Sequence, residues 1–215
     1  MTATERPLTK DSLDRACRIL ADRDPHLGVS YTRHGTPPLW KRRPGFRTLV
    51  QIVLEQQVSL ASGRATLKRI EATFGPVTAA RLAKAGQEGL RSVGVTRQKA
   101  RYCALLAEAS RAGDLNLRKI SRSRDRDAMS ALTAFKGIGS WTAEVYLLMA
   151  LGRPDVWPAG DLALAKAIQT VKQLPERPDE ESMRVLAQPW SPFRAVAARM
   201  LWHDYLQRDR RVQAP

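Results

Sequence analysis

Leu132-Thr-Ala-Phe-Lys-Gly-Ile-Gly-Ser-Trp-Thr-Ala-Glu-Val-Tyr-Leu-Leu-Met-Ala-Leu151 reads as the end of one helix, a glycine turn and the start of a second helix. Gly137 and Gly139 flank Ile138, so the backbone can turn tightly and approach a ligand with no Cβ in the way. The helix that starts at Ser140 opens with unpaired N–H groups at its positive end, a setting that suits an anion such as a phosphate. Ten residues further on, Asp161 heads another apolar run, Leu-Ala-Leu-Ala-Lys-Ala-Ile168.

Working outward, the 215 residues are 43 % hydrophobic, enough to bury a sizeable core as a single unit made of one domain or two packed subdomains. Lys plus Arg number 36 against 21 Asp plus Glu, a formal charge of +15, and the pI is about 10.7. That balance favours a polyanionic partner, nucleic acid above all. Cys17 and Cys103 stand apart in apolar helical patterns without metal-ligand spacing, so buried free thiols are expected. The first residues lack an apolar signal region and the apolar runs are too short to span a membrane, which leads to the expectation of a cytoplasmic protein.

The periodicity gives helices and no strand. Asp11 or Ser12 can cap a helix to about Ala21, Asp22 to Gly45 reads as loop because of its four prolines and three glycines, and Phe46 to Gln56 is a strongly apolar helix. Ser59, Thr78 and Thr96 are N-caps for the helices that follow, with a break near Gly86, and Leu90 to Ala100 echoes the helix, glycine turn and helix start of the opening motif. Arg118, Lys119, Arg122, Arg124 and Arg126 crowd a surface segment before a helix from Asp127. Further helices follow Asp161 and Asp179, and Ser191-Pro192 reads as a cap and N1 proline for a last helix through Tyr205, ahead of a charged tail. The class is all-α, with about ten helices.

No nucleophile elbow, phosphate-binding Walker loop or dinucleotide fingerprint is present, and His26, His34 and His203 are isolated from one another along the chain. Asp161 is first of all an N-cap. A carboxylate held at a helix N-terminus is also fixed in direction, as an electrostatic catalyst or a water-activating base must be, so the two roles are compatible. Asp155 has no clear helix behind it and fits a turn. Trp40, Trp141, Trp157, Trp190 and Trp202 can each stack on a base or fill the core.

Phe135-Lys-Gly-Ile-Gly-Ser-Trp-Thr-Ala143 together with Asp155-Val-Trp-Pro-Ala-Gly-Asp-Leu-Ala-Leu164 resembles the signature of the helix-hairpin-helix DNA glycosylase superfamily. Glu55-Gln-Gln-Val-Ser59 and the stretch from Trp190 to Trp202 are similar to its 3-methyladenine DNA glycosylase II branch. The likeness covers about residues 40 to 206. It implies two closely packed helical subdomains, about 46–151 and the N-terminal segment with about 155–206, with the hairpin at about 127–151 and the active site in the cleft between them. It makes Asp161 the catalytic carboxylate, and Gly137, Gly139 and Trp141, with Lys136, Ser140 and Thr142 around them, the grip on a DNA phosphate. Main-chain carbonyls of Thr133, Phe135 and Ile138 would hold a monovalent cation. Gln57 falls where the family places the wedge that replaces a flipped base, and Gln56 would support that loop. Trp141, Trp202 and Trp40 would line the base pocket.

Bifunctional relatives carry a lysine where Trp141 stands, and an indole cannot attack the sugar. The resemblance therefore implies a monofunctional glycosylase that releases alkylated purines such as 3-methyladenine and 7-methylguanine from double-stranded DNA with water, and a monomer is the default expectation. It requires no cofactor, and the chain has no four-cysteine iron-sulfur cluster. Departures from the family pattern are Lys136 in place of a proline and Val145 and Leu162 where some relatives have pocket aromatics, and since the helical pattern starts almost at once, the N-terminal β-rich domain of some members is not expected. A non-catalytic helix-hairpin-helix protein for branched or distorted DNA, and a glycosylase for uracil or another deaminated base, are the alternative readings.

Overall fold

The computed structural model describes residues 6–212, with side chains through Arg208. Twelve α-helices follow in order: α1 (Lys10–Arg23), α2 (Pro25–His34), α3 (Phe46–Glu55), α4 (Leu60–Phe74), α5 (Ala79–Ser92), α6 (Arg97–Ala112), α7 (Leu117–Arg122), α8 (Asp125–Thr133), α9 (Ser140–Met149), α10 (Leu162–Val171), α11 (Glu180–Ala187) and α12 (Arg194–Val212). No strand occurs among the described residues, and none of the helices is long and apolar enough to cross a membrane.

Local capping explains most of these boundaries. Ser59, Thr78, Thr96 and Asp179 each accept the backbone N–H three residues ahead. Gly86, at φ 62, breaks α5 into two short helical stretches. α1 begins earlier than its expected Asp11 or Ser12 cap, because Thr9 and Ser12 exchange hydrogen bonds in a capping box. The stretch expected to be loop contains α2: Asp24 accepts from His26 N at 3.0 Å, and Pro25 at N1 gives up only an N–H that has no partner in a first turn. α7 lies in the basic segment, where Ile120 is the one buried residue of the helix and leaves no readable period. Pro192 is not an N1 proline. α12 starts at Arg194, whose N–H bonds Asp155 Oδ1 at 3.1 Å, and it continues past Tyr205 through Val212. Residues 213–215 of the expected tail lie outside the described residues.

The chain divides into two compact units, residues 42–146 and residues 1–41 with 147–215. In the first, α3 buries Leu49, Val50, Ile52, Val53 and Leu54, so it is a helix apolar nearly all round rather than along a stripe. Leu67, Ile70, Leu82, Leu90, Leu106 and Leu132 complete that core. In the second, Leu13, Cys17 and Leu20 of α1, Leu27 of α2, Leu164 and Ile168 of α10 and Ala195–Ala198 and Leu201 of α12 are buried. Cys17 and Cys103 are free buried thiols, and burial pushes both up to about 12.

Two polar groups organise the interior of the second unit. Arg199 is 1 % exposed and donates to the carbonyls of Leu39 at 3.2 Å, Ala195 at 3.0 Å and Leu148 at 2.8 Å, and burial pushes its guanidinium down to about 10. Asp24 receives Lys172 Nζ and Trp190 Nε1, each at 2.8 Å. Burial opposes its charge, but these hydrogen bonds prevail and hold the carboxyl below its usual range.

Candidate active site

In the unit of residues 42–146, the hairpin turn is closed by Phe135 N to Leu132 O at 3.2 Å and Ile138 N to Phe135 O at 3.0 Å, with Ile138 buried. The two glycines answer different needs. Gly137 sits at φ 95, and a Cβ there would fall on the Tyr102 ring of α6, 2.6 Å from Tyr102 Cβ. A Cβ on Gly139 would meet no atom within 4 Å. Gly139, Ser140 and Lys136 are exposed, and Ala143 N bonds Gly139 O, which places the positive N-terminal end of α9 at this turn.

Gln56 and Thr142 do not face outward with them. Gln56 Nε2 donates to Gly137 O at 2.9 Å and to Thr142 Oγ1 at 2.8 Å, and Thr142 is 1 % exposed. Both side chains brace the turn from inside, where an otherwise unpaired carbonyl and hydroxyl would be costly. Lys99 of α6, which the pattern placed only in an amphipathic helix, closes the end of α3 by donating to Leu54 O at 2.8 Å and Gln56 O at 2.7 Å. Burial holds its pKa below the usual lysine value. Beyond this anchor Gln57 is exposed at φ 54, a left-handed conformation that a non-glycine residue adopts at a cost of about 1–2 kcal/mol. Arg42, within the basic run Lys41-Arg42-Arg43, pairs at 2.7 Å with the buried Glu55.

In the other unit, Asp161 caps α10. Its Oδ1 accepts Leu164 N at 2.8 Å and Trp202 Nε1 at 3.2 Å. The half-buried Trp202, expected as a pocket wall, thus also fixes the direction of the carboxylate. Trp202→Phe keeps a ring and loses this donor. Base release should fall about tenfold with DNA affinity unchanged, since a hydrogen bond to a charged group contributes ~1.5–3 kcal/mol, part of it retained through the helix cap. Single-turnover rates at saturating DNA check this. Leu162, the next residue, is 66 % exposed beside the carboxylate.

Asp155 is committed elsewhere, accepting from Arg194 N, Nε and Nη2 and from Ser191 Oγ. Trp157 and Trp190 are buried and pack edge to face, with ring centroids 5.4 Å apart. Trp40 is half-buried at φ 44, its ring edge-on to His203 at 6.2 Å, and Arg199 holds the carbonyl of the preceding Leu39. The fold also gathers two histidines that are distant in sequence: the His34 and His203 rings are 5.8 Å apart. His34 Nε2 lies 3.2 Å from Asp204 Oδ1 without hydrogen-bond geometry.

The sequence matches the family described as HhH-GPD superfamily base excision DNA repair protein over residues 50–192, and the chain belongs to that family. YfjP of Bacillus subtilis, provisionally named a DNA-3-methyladenine glycosylase, is 27 % identical over 189 residues. This covers 83 % of the present chain and 65 % of YfjP, so the chain spans just under two thirds of that relative. Among solved structures, a DNA-3-methyladenine glycosidase of Bacillus halodurans is similar with a TM-score of 0.77 at 26 % identity, over 91 % of each chain. The 3-methyladenine DNA glycosylase Mag1 of Schizosaccharomyces pombe, solved with abasic DNA, superposes with a TM-score of 0.76 at 25 % identity, over 87 % of this chain and 95 % of that one.

Proposed function

We propose that the protein is a monofunctional DNA glycosylase that hydrolyses the N-glycosidic bond of alkylated purines, such as 3-methyladenine and 7-methylguanine, and leaves an abasic site in duplex DNA. The observation that carries the reading is Asp161, a carboxylate aimed by a helix N-terminus and by the Trp202 indole. The names of the relatives agree with it.

A base within a duplex has to be extruded before its bond can be cut, and a damaged base costs less to unstack. The α9 end with Gly137, Gly139 and Ser140 would bind a backbone phosphate, and Lys136 would add charge. The carbonyls of Thr133, Phe135 and Ile138 are hard oxygen donors suited to a monovalent cation. Phe135 O keeps one lone pair for it after accepting Ile138 N–H. Gln57, exposed at its turn, would fill the space the base vacates. Indoles of Trp40, Trp141 and Trp202 offer electron-rich faces to a cationic purine.

Asp161 would stabilise positive charge developing on the deoxyribose and orient the attacking water, which adds to the anomeric carbon and yields its proton to the carboxylate as the base leaves with the bonding electron pair. An N-alkylated purine is already cationic and leaves as a neutral base, so no general acid is required. Trp141, in place of a lysine, provides no amine for a covalent intermediate. Incubation with methylated duplex DNA should therefore release free 3-methyladenine and 7-methylguanine, with strand breaks only after alkali and no borohydride-trapped complex. Trapping would contradict the monofunctional assignment, and absence of released purines would contradict the substrate class.

A further inference from the structure

Phosphate binding at the hairpin makes no use of the basic segment ahead of α8. Arg118, Lys119, Arg122, Arg124 and Arg126 are all exposed, with Asp125 the one acid among residues 118–126. Among the described residues none of these five cations is paired with a carboxylate. A run of like charge is commonly a solvated face. Here, however, the run is built into an ordered turn: Ile120 is buried beneath it, Asn116 Oδ1 accepts Lys119 N at 2.9 Å, and Ser123 Oγ donates to Ile120 O at 2.8 Å. Asn116, Arg118, Lys119, Arg122 and Ser123 line a concavity of about 460 Å³.

Within the same unit, α8 leads from this turn to the hairpin. Along α8, Arg126, Ser130 and Ala134 are exposed at i, i+4 and i+8, and Lys136 follows in the turn. From Ala128 to Ala143 no residue is acidic. Asp125 and Asp127 stand in the first turn of α8, where the helix dipole accounts for them. At 1.5 Å per residue, Arg126 to Ala134 spans about 12 Å, a length over which duplex DNA carries about seven charges at one per ~1.7 Å.

We propose that α7 and the start of α8 form a second backbone contact for duplex DNA, which extends the footprint from the hairpin onto the flank of the lesion. The proposal rests on the DNA-directed reading above, though not on the chemistry at Asp161. Its side chains would supply charge without reading sequence, so the contact lengthens the bound duplex and leaves base choice untouched.

The test is the combined variant Arg118→Ser, Lys119→Ser and Arg122→Ser, with the probes two duplexes of about 30 and about 10 base pairs that carry a central abasic-site analogue. Three lost phosphate contacts at ~0.9 each should make the slope of log affinity against log salt shallower by about 2–3 on the long duplex. Affinity for the long duplex should fall about 100-fold or more at ~0.1 M salt, and that for the short duplex should stay within about twofold. Arg118→Lys with Arg122→Lys should retain the wild-type slope, which separates charge from folding. An unchanged slope on the long duplex, or an equal loss on both lengths, would overturn the proposal. A wild-type protein that shows the steep slope and releases no base would sink the glycosylase reading and leave this contact standing.

Discussion

Gly137→Ala should cost about 2–5 kcal/mol of stability: ~1–2 kcal/mol for a side chain in a left-handed conformation and ~1–3 kcal/mol for overpacking against Tyr102. For a chain of this size that is a fall in Tm of about 5–15 °C. The overlap includes Tyr102 Cβ, which a change of ring rotamer does not move, and Gln56 Nε2 ties the Gly137 carbonyl at 2.9 Å. Gly139→Ala is the control. Its Cβ meets nothing within 4 Å and its φ is unexceptional, so Tm should stay within about 2 °C of wild type. Under the proposed function the added methyl would stand where a phosphate approaches the N-terminal end of α9, and DNA affinity should fall. Thermal melts of both variants with a binding isotherm for Gly139→Ala check the pair. Equal Tm losses would contradict the division of labour between the two glycines.

Asp161→Asn should lower base release about 10³-fold, the range expected when a positioned charge or base is removed, and leave DNA affinity within about threefold. The substitution isolates charge from shape. An asparagine oxygen can still accept Leu164 N–H and the Trp202 indole, and Asn caps a helix as well as Asp, so folding stability should change by no more than about 0.5 kcal/mol. Trp202→Phe is the complement: it keeps the charge and loosens its direction, and its smaller expected loss ranks charge above orientation.

The helical class and most helix starts are legible in the chain because caps act over three residues. Ser59, Thr78, Thr96, Asp161 and Asp179 each bond a nearby N–H, so their signal is local. α2 escaped because Pro25 reads as a breaker by composition and as a favourable N1 residue only once Asp24 is seen to cap. The start of α12 depends on Asp155, 39 positions earlier, which no local pattern can report. The same limit governs the site. The cap at Asp161 is readable, while the Trp202 bond that aims it crosses 41 positions, and the inward turn of Gln56 to Thr142 crosses 86. Lys99, which closes α3, had no signal beyond one cation near the buried face of α6. The two histidines near Trp40 come together only through the packing of α2 against α12.

Under the proposed function the protein would remove a base that is already a good leaving group, through a carboxylate and without an acid. Single-turnover release from two otherwise identical duplexes, one with a single 7-methylguanine and one with uracil at the same position, tests it most directly. A cationic purine should be released at least about 100-fold faster than the neutral pyrimidine, a barrier difference of ~2.7 kcal/mol or more. Uracil released as fast as 7-methylguanine, or faster, would contradict the account.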